Sequence, residues 1–346
     1  LKKYTYFTFQ FPKKTIIIVL IVVAIVAALQ TSFNIKERCI RSIFGVSQGV
    51  TLEGVAIQHH LDHELKEFID KAAKDKYHEP INARVDNVWK GIPGLNGISV
   101  DVEKTIAKAM SAKRNEQIQI QYKQWEPEIQ LKDLGAVPVY RGNSDKKAMS
   151  LMINVAWGTE WIENILDILE ENNVKATFFV AGNWVEKNHE SLLKIHLAGH
   201  EIGSHAYTHR NMSTLSKAEL AWEIDKTDEL VKKVIPHAKI NVFGPPSGDF
   251  NQLVVDVTNS KGKIHVLWTL DTVDWQKPAS QVIIQRIVPK AENGALVLMH
   301  PTESTVEALK AMVPALLEKG YKLITVSELL SSERNDLVIG DSIGFP

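Results

Sequence analysis

Gly203-Ser204-His205-Ala206-Tyr207-Thr208-His209 sets two histidines at i and i+4 around a tight polar segment. Neutral imidazoles at that spacing close on one divalent metal, although the pattern alone is common among unrelated surface and core histidines. Its position in the chain gives it weight. A short strand-like run, Glu201–Ser204, ends as the first histidine begins, and three further chemistry-bearing stretches stand at the ends of similar runs. These are Phe243-Gly244-Pro245-Pro246-Ser247-Gly248, Asp271-Thr272-Val273-Asp274-Trp275 and Leu296-Val297-Leu298-Met299-His300.

Working outward, β-rich runs at 151–155, 176–180, 201–204, 240–243, 264–268, 295–299 and 323–325 alternate with amphipathic helical segments. Ile162, Leu166 and Leu169 share one helical face, and Val306, Leu309, Val313 and Leu316 share another. Strands alternating with helices of this length predict βα units around a parallel sheet, here an irregular (β/α)7 barrel of the α/β class. In such barrels chemistry collects on loops at the strand C-termini, where each quoted stretch begins.

The chain has 346 residues, a net charge of −1 and one cysteine, Cys39. That length allows one large domain and a smaller one. Near-neutral charge argues against a nucleic-acid partner, and a lone cysteine forms no internal disulfide. Lys13 and Lys14 precede an uninterrupted apolar run from Ile16 to Leu29. This layout predicts a membrane signal anchor with a cytoplasmic tail over 1–33 and the rest of the chain outside. Ala24, Ala27 and Ala28 would permit cleavage, so secretion is the alternative. Residues 34–141 predict a small extracytoplasmic α+β domain of unknown role, with helices over 60–77 and 102–110. His59, His60 and His63 read there as a solvated helix start. The barrel is expected over 142–332 and a C-terminal tail over 333–346.

Together and in this order, the motifs resemble the polysaccharide deacetylase (NodB homology) family, carbohydrate esterase family four, over roughly residues 149–330. The resemblance implies a NodB-type barrel that hydrolyses the acetamide C–N bond of cell-wall N-acetylated glycans, peptidoglycan or a related polymer. It also implies a divalent metal, zinc by expectation, held by one aspartate and two histidines. The metal polarises the acetamide and acidifies a water, an aspartate takes the proton, and a histidine protonates the departing amine. His205 and His209 match the metal histidines, His300 the acid, and Asp274 the carboxylate that orients it. Leu298 and Trp275 match the pocket for the acetyl methyl. Ser247 stands where the family usually has a tyrosine whose backbone N–H stabilises the oxyanion.

The first motif departs from the pattern. Where the family has Asp-Asp-Gly, this chain reads Asn154-Val155-Ala156-Trp157-Gly158-Thr159-Glu160. Ala156 falls at the catalytic base and Trp157 at the metal aspartate. Gly244 replaces an arginine that pairs with the base. These losses are mutually consistent, because an arginine left without its carboxylate would cost about 3–5 kcal/mol. Glu160 and Asp249 are candidate substitute ligands; their bland roles would be dipole stabilisation and helix capping. The lysine-flanked anchor, Trp89-Lys90-Gly91-Ile92-Pro93-Gly94 and Ala156-Trp157 look like the YlxY-type, sporulation-associated branch of Bacillus relatives. That likeness implies a Gram-positive envelope role. Three readings follow: a membrane-anchored deacetylase of altered or weak activity, a non-catalytic glycan-binding pseudoenzyme, or a membrane-tethered interaction protein working through 34–141. In the second, Trp157 and Trp275 supply stacking faces, the alternative for Trp157 being a core plug over the vacated metal position.

Overall fold

The computed structural model describes residues 12–334 and divides them into two compact units, one of residues 12–77 and 99–123, the other of 78–98 and 124–334. The tail expected before residue 12 and most of the tail expected after 333 lie outside the described residues.

In the first unit, α1 (Lys13–Phe44) is one helix of 32 residues, about 48 Å at a rise of 1.5 Å. It contains an 18-residue window of mean hydropathy 2.8 with none of that window buried. It runs well past the apolar stretch that the sequence marks. The hydroxyl of Thr31 donates to the carbonyls of Ala27 and Ala28, so the polar residues there are absorbed without breaking the helix. On its last turn Arg41 forms a two-pronged pair with Glu64, each bond 2.7 Å, on α2 (Asp62–Ala73). The Asp101 side chain caps α3 (Val102–Ser111) by accepting from the Lys104 N–H. Thr51–Leu52 pairs antiparallel with Val55–Ala56 and parallel with Gln117–Ile118. Val50, Leu52, Leu65, Ile69, Ala109 and Ile118 are among the residues that close this α+β unit's core.

The second unit is built on eight parallel strands: β1 (Ala148–Val155), β2 (Thr177–Val180), β3 (Glu201–Ser204), β4 (Val242–Phe243), β5 (Ile264–His265), β6 (Leu270–Asp271), β7 (Leu296–Met299) and β8 (Lys322–Leu323). The sheet order is β5-β4-β3-β2-β1-β7-β6, with β8 paired to the start of β1. β1 is buried along its whole length, as expected of a central parallel strand covered on both faces. Helices α4 (Ile162–Glu171), α5 (Gly182–Val185), α6 (His189–Leu197), α7 (Lys217–Val234), α8 (Gln252–Ser260), α9 (Ser280–Ile287), α10 (Glu303–Glu318) and α11 (Val326–Leu330) complete the unit. The apolar faces read from the sequence turn inward, with Ile162, Leu166, Leu169, Val306, Leu309 and Val313 all in one core cluster.

Two features differ from expectation. The strand expected over 264–268 stops at His265, and β6 appears where none was marked. The reason is a strap from the preceding segment. The Val139 N–H donates to the His265 carbonyl, and the Val139 carbonyl accepts from Leu267 N–H, both at 2.8 Å. Thr269 then donates its hydroxyl to the Tyr140 carbonyl at 2.7 Å. Residues 136–141 therefore fill the break between β5 and β6. Val139 also pairs with Gly91, and Asn143 donates to the Pro93 carbonyl at 2.9 Å, which ties the Trp89–Gly94 stretch to the barrel unit. The small domain expected over 34–141 is thus divided, with 78–98 and 124–141 belonging to the larger unit.

Candidate functional site

The loops following β1, β3, β4, β6 and β7 converge on a cleft of about 430 Å³. Trp157, His205, His209, Ser247, Trp275, Leu298 and His300, separated by up to 143 positions in the chain (300 − 157), all line it. Asn154, Trp268 and Asp271 line it too, and motif reading alone had not singled them out.

His205 follows the last residue of β3 and is buried. Its Nδ1 lies 2.7 Å from the Gly244 carbonyl. A carbonyl only accepts, so the proton sits on Nδ1 and Nε2 carries the lone pair. Burial, reinforced by the neighbouring His209, pushes the His205 pKa down to about 3. His209 is exposed and left-handed (φ 61°), with its ring 5.0 Å from that of His205. The loop between them is held from below by Glu223 on α7. This fully buried carboxylate accepts from the backbone N–H of Tyr207 and of Thr208, both at 2.8 Å, and from the Thr208 hydroxyl. It also pairs with Arg210 at 3.1 Å.

Asp274 is wholly buried beneath His300. One carboxylate oxygen accepts from His300 Nδ1 at 2.7 Å; the other accepts from the His300 backbone N–H and the Thr305 hydroxyl, both at 2.6 Å. The imidazole is thereby fixed in one orientation, as an orienting carboxylate does. Trp157 reaches the same histidine from the β1 loop. Gly158 adopts φ 78°, and a Cβ there would lie 2.1 Å from the Pro301 carbonyl. Only glycine lets the two loops approach so closely. The Trp157 indole consequently stacks on His300, ring centroids 5.6 Å apart and planes 9° from parallel.

The residues do not fit a divalent metal. Structural and catalytic zinc sites need at least three protein ligands, and the carboxylate of the family set is replaced by the Trp157 indole. Neither expected substitute takes that role. Glu160 is exposed on the turn Thr159–Trp161 and does not line the cleft. Asp249 accepts from Ser213 at both oxygens, backbone N–H at 2.7 Å and hydroxyl at 2.9 Å, which pins the two loops together. Among the described residues no group of three or more His, Cys, Asp or Glu side chains is placed to hold one metal ion. At the other altered positions, Ala156 packs against the barrel core, and a Cβ on Gly244 would meet the Phe179 ring at 3.1 Å. Ser247 is exposed and left-handed (φ 56°), Leu298 is buried, and Trp275 is 55% exposed.

The sequence profile of the polysaccharide deacetylase family matches residues 141–264. The chain is 42% identical over 280 residues to the YlxY protein of Bacillus subtilis, covering 81% of this chain and 87% of that one. The crystal structure of wild-type BA3943, a carbohydrate esterase family four pseudoenzyme of Bacillus anthracis, is 41% identical with a TM-score of 0.70. The match spans 78% of this chain and 96% of that one. A BA3943 mutant with restored enzymatic activity matches at 40% identity and the same TM-score, over 78% and 99% of the two chains. The peptidoglycan-N-acetylglucosamine deacetylase of Bacillus cereus is 28% identical over 200 residues, 56% of this chain and 72% of that one. With its NodB-type barrel and ordered motif loops, the chain belongs to the polysaccharide deacetylase family, carbohydrate esterase family four.

Proposed function

We propose that the chain is a non-catalytic glycan-binding protein of the bacterial envelope or spore, using a deacetylase cleft to hold sugar without hydrolysing it. The observation that carries this reading is the Trp157–His300 stack. Hydrolysis of an acetamide needs the scissile group between an electrophilic activator and the acid that protonates nitrogen. Here an indole stands at the position of the metal carboxylate and stacks on the acid, so the electrophilic half of that pair lacks its anionic ligand. The methyl of Ala156 has no lone pair to take a proton, and the ligand set does not hold a metal. His300 and Asp274 persist as a well-ordered pair, with the Trp157 indole stacked beside the imidazole.

Two indoles at the cleft mouth support retained sugar binding. Trp157 is 43% and Trp275 55% exposed, offering flat apolar faces to pyranose rings. The likeness to BA3943 supports the same reading, since that relative is a pseudoenzyme. α1 would serve as a single-pass membrane anchor with the barrel outside, and cleavage would instead release a secreted form. A role through 34–141 as an interaction platform is a weaker reading, because the cleft remains open and lined by aromatics. The full chain in detergent should bind peptidoglycan and oligomers of N-acetylglucosamine or glucosamine without releasing acetate. Trp275→Ala should weaken binding several-fold, in line with about 0.5–1.5 kcal/mol for one aromatic stack. Acetate release that His300→Ala abolishes would sink the proposal.

A further inference from the structure

The Trp89–Gly94 stretch takes no part in the cleft, and it begins at a strained, exposed turn. Arg84–Val85 pairs antiparallel with Gly91–Ile92, and Asn87, Val88 and Trp89 form the loop between Asp86 and Lys90. The Trp89 N–H donates to the Asp86 carbonyl at 3.2 Å, and the Asp86 N–H to the Lys90 carbonyl at 2.9 Å. In such a three-residue hairpin loop the last residue is left-handed, a position where glycine is the usual occupant. Trp89 stands there at φ 61°. A bulky side chain in that region is an outlier, so the loop holds an indole against its own backbone preference. Nor is the indole packed away, since Trp89 is 70% exposed and Val88 beside it 64%. The polar backbone of the apex is satisfied from within. One Asp86 carboxylate oxygen accepts from the Val88 N–H at 2.9 Å and from the Lys90 N–H at 2.8 Å. Behind the tip, the Gly91 N–H donates to the Pro138 carbonyl at 2.9 Å, and Lys90 Nζ lies 4.0 Å from the centre of the Tyr140 ring.

We propose that the Val88–Trp89 tip inserts into the interfacial layer of a lipid bilayer, as an attachment additional to α1. The inference goes beyond the glycan-binding reading and rests on the reading of α1 as a membrane anchor. An indole favours the headgroup level of a bilayer, where its ring is in apolar surroundings and its N–H still meets water. Backbone donors that leave water for lipid must be paired internally, and those of Val88, Trp89 and Lys90 are. A protein partner fits less well, because a stable interface buries roughly 800 Å² on each side and a three-residue apex offers far less. One indole and one valine hold a bilayer weakly, so the contact depends on a tether. α1 supplies it by keeping the chain at the membrane surface.

The test uses the full chain in vesicles of phosphatidylcholine and phosphatidylglycerol, with or without lipid brominated near the headgroup end of its acyl chains. Flotation with the vesicles reports α1. Bromine quenching of tryptophan emission reports the tip, because α1 contains no tryptophan. Brominated lipid should remove close to one indole's share of the emission, one among eight tryptophans. Trp89→Gly should abolish that quenching. Glycine suits the left-handed position, so this variant keeps the hairpin and should unfold no earlier than the parent chain. Flotation without bromine quenching overturns the inference and leaves the anchor and glycan readings standing. If Trp89 is then shielded from iodide as well, the tip belongs to a protein contact instead. Quenching that persists in Trp89→Gly also overturns the inference, by placing a different tryptophan in the lipid. A chain that does not float overturns the inference together with the anchor.

Discussion

Position 157 carries an indole where an aspartate would reach a metal, and the consequence travels through its neighbour. Gly158 brings the β1 loop onto Pro301, so the side chain before it stacks on His300 while its other face stays open to the cleft. His205 is already prepared as a ligand, neutral and with Nε2 unprotonated, because Nδ1 is committed to Gly244. What is missing is carboxylate, not imidazole. The double variant Ala156→Asp, Trp157→Asp should therefore take up close to one equivalent of Zn²⁺, measured by competition with a chromophoric chelator, whereas the parent chain should not. His205→Ala in that background should abolish uptake. Restored activity in a BA3943 mutant shows that a pseudoenzyme of this family has been returned to function. Continued failure to bind zinc in the double variant would mean that the β1 loop, and not its side chains, is the obstacle.

Elements explain which parts of this site the sequence revealed. His205, His209, Asp274 and His300 were legible because each follows a strand end, where a parallel barrel gathers its loops. Strands β1, β2 and β7 were legible from their largely apolar runs, and β3 from a short β-rich segment that ends where a motif loop begins. β6 is two residues long, too short for any periodicity, and its pairing depends on the strap at 136–141, a long-range partner that no local pattern announces. Glu223 lies on the face of α7 that supports the histidine loop, 14 residues beyond His209, and reads in sequence as one more helical charge. Glu223→Gln should cost about 2–3 kcal/mol in urea unfolding, since it places an amide donor against groups that all donate. It should also speed amide exchange at 207 and 208 beyond the change expected from global stability alone. Unchanged exchange there would mean that the loop holds its shape without the carboxylate.

At the scale of the molecule, buried imidazoles couple stability to pH. His200 and His265 are both buried in the barrel unit, and burial lowers their pKa values to about 4 and about 3. In the unfolded chain both return to near 6.5. Between those values the unfolded state carries the proton and the native state does not, so stability falls as pH drops. The contribution is intact above pH 6.5 and is lost progressively towards pH 3 to 4. From pH 7 to pH 5, each histidine should cost about 2 kcal/mol, seen as a falling urea midpoint at constant slope. His265 provides the control. Its ring packs 5.7 Å from Phe243 and 5.0 Å from Phe250, while its Nε2 has no hydrogen-bond partner among the described residues. His265→Leu keeps an apolar body in that space and removes the orphan nitrogen, so stability at pH 7 should hold or rise. The decline to pH 5 should become shallower by about 2 kcal/mol. An unchanged decline would assign the acid sensitivity to groups other than this imidazole.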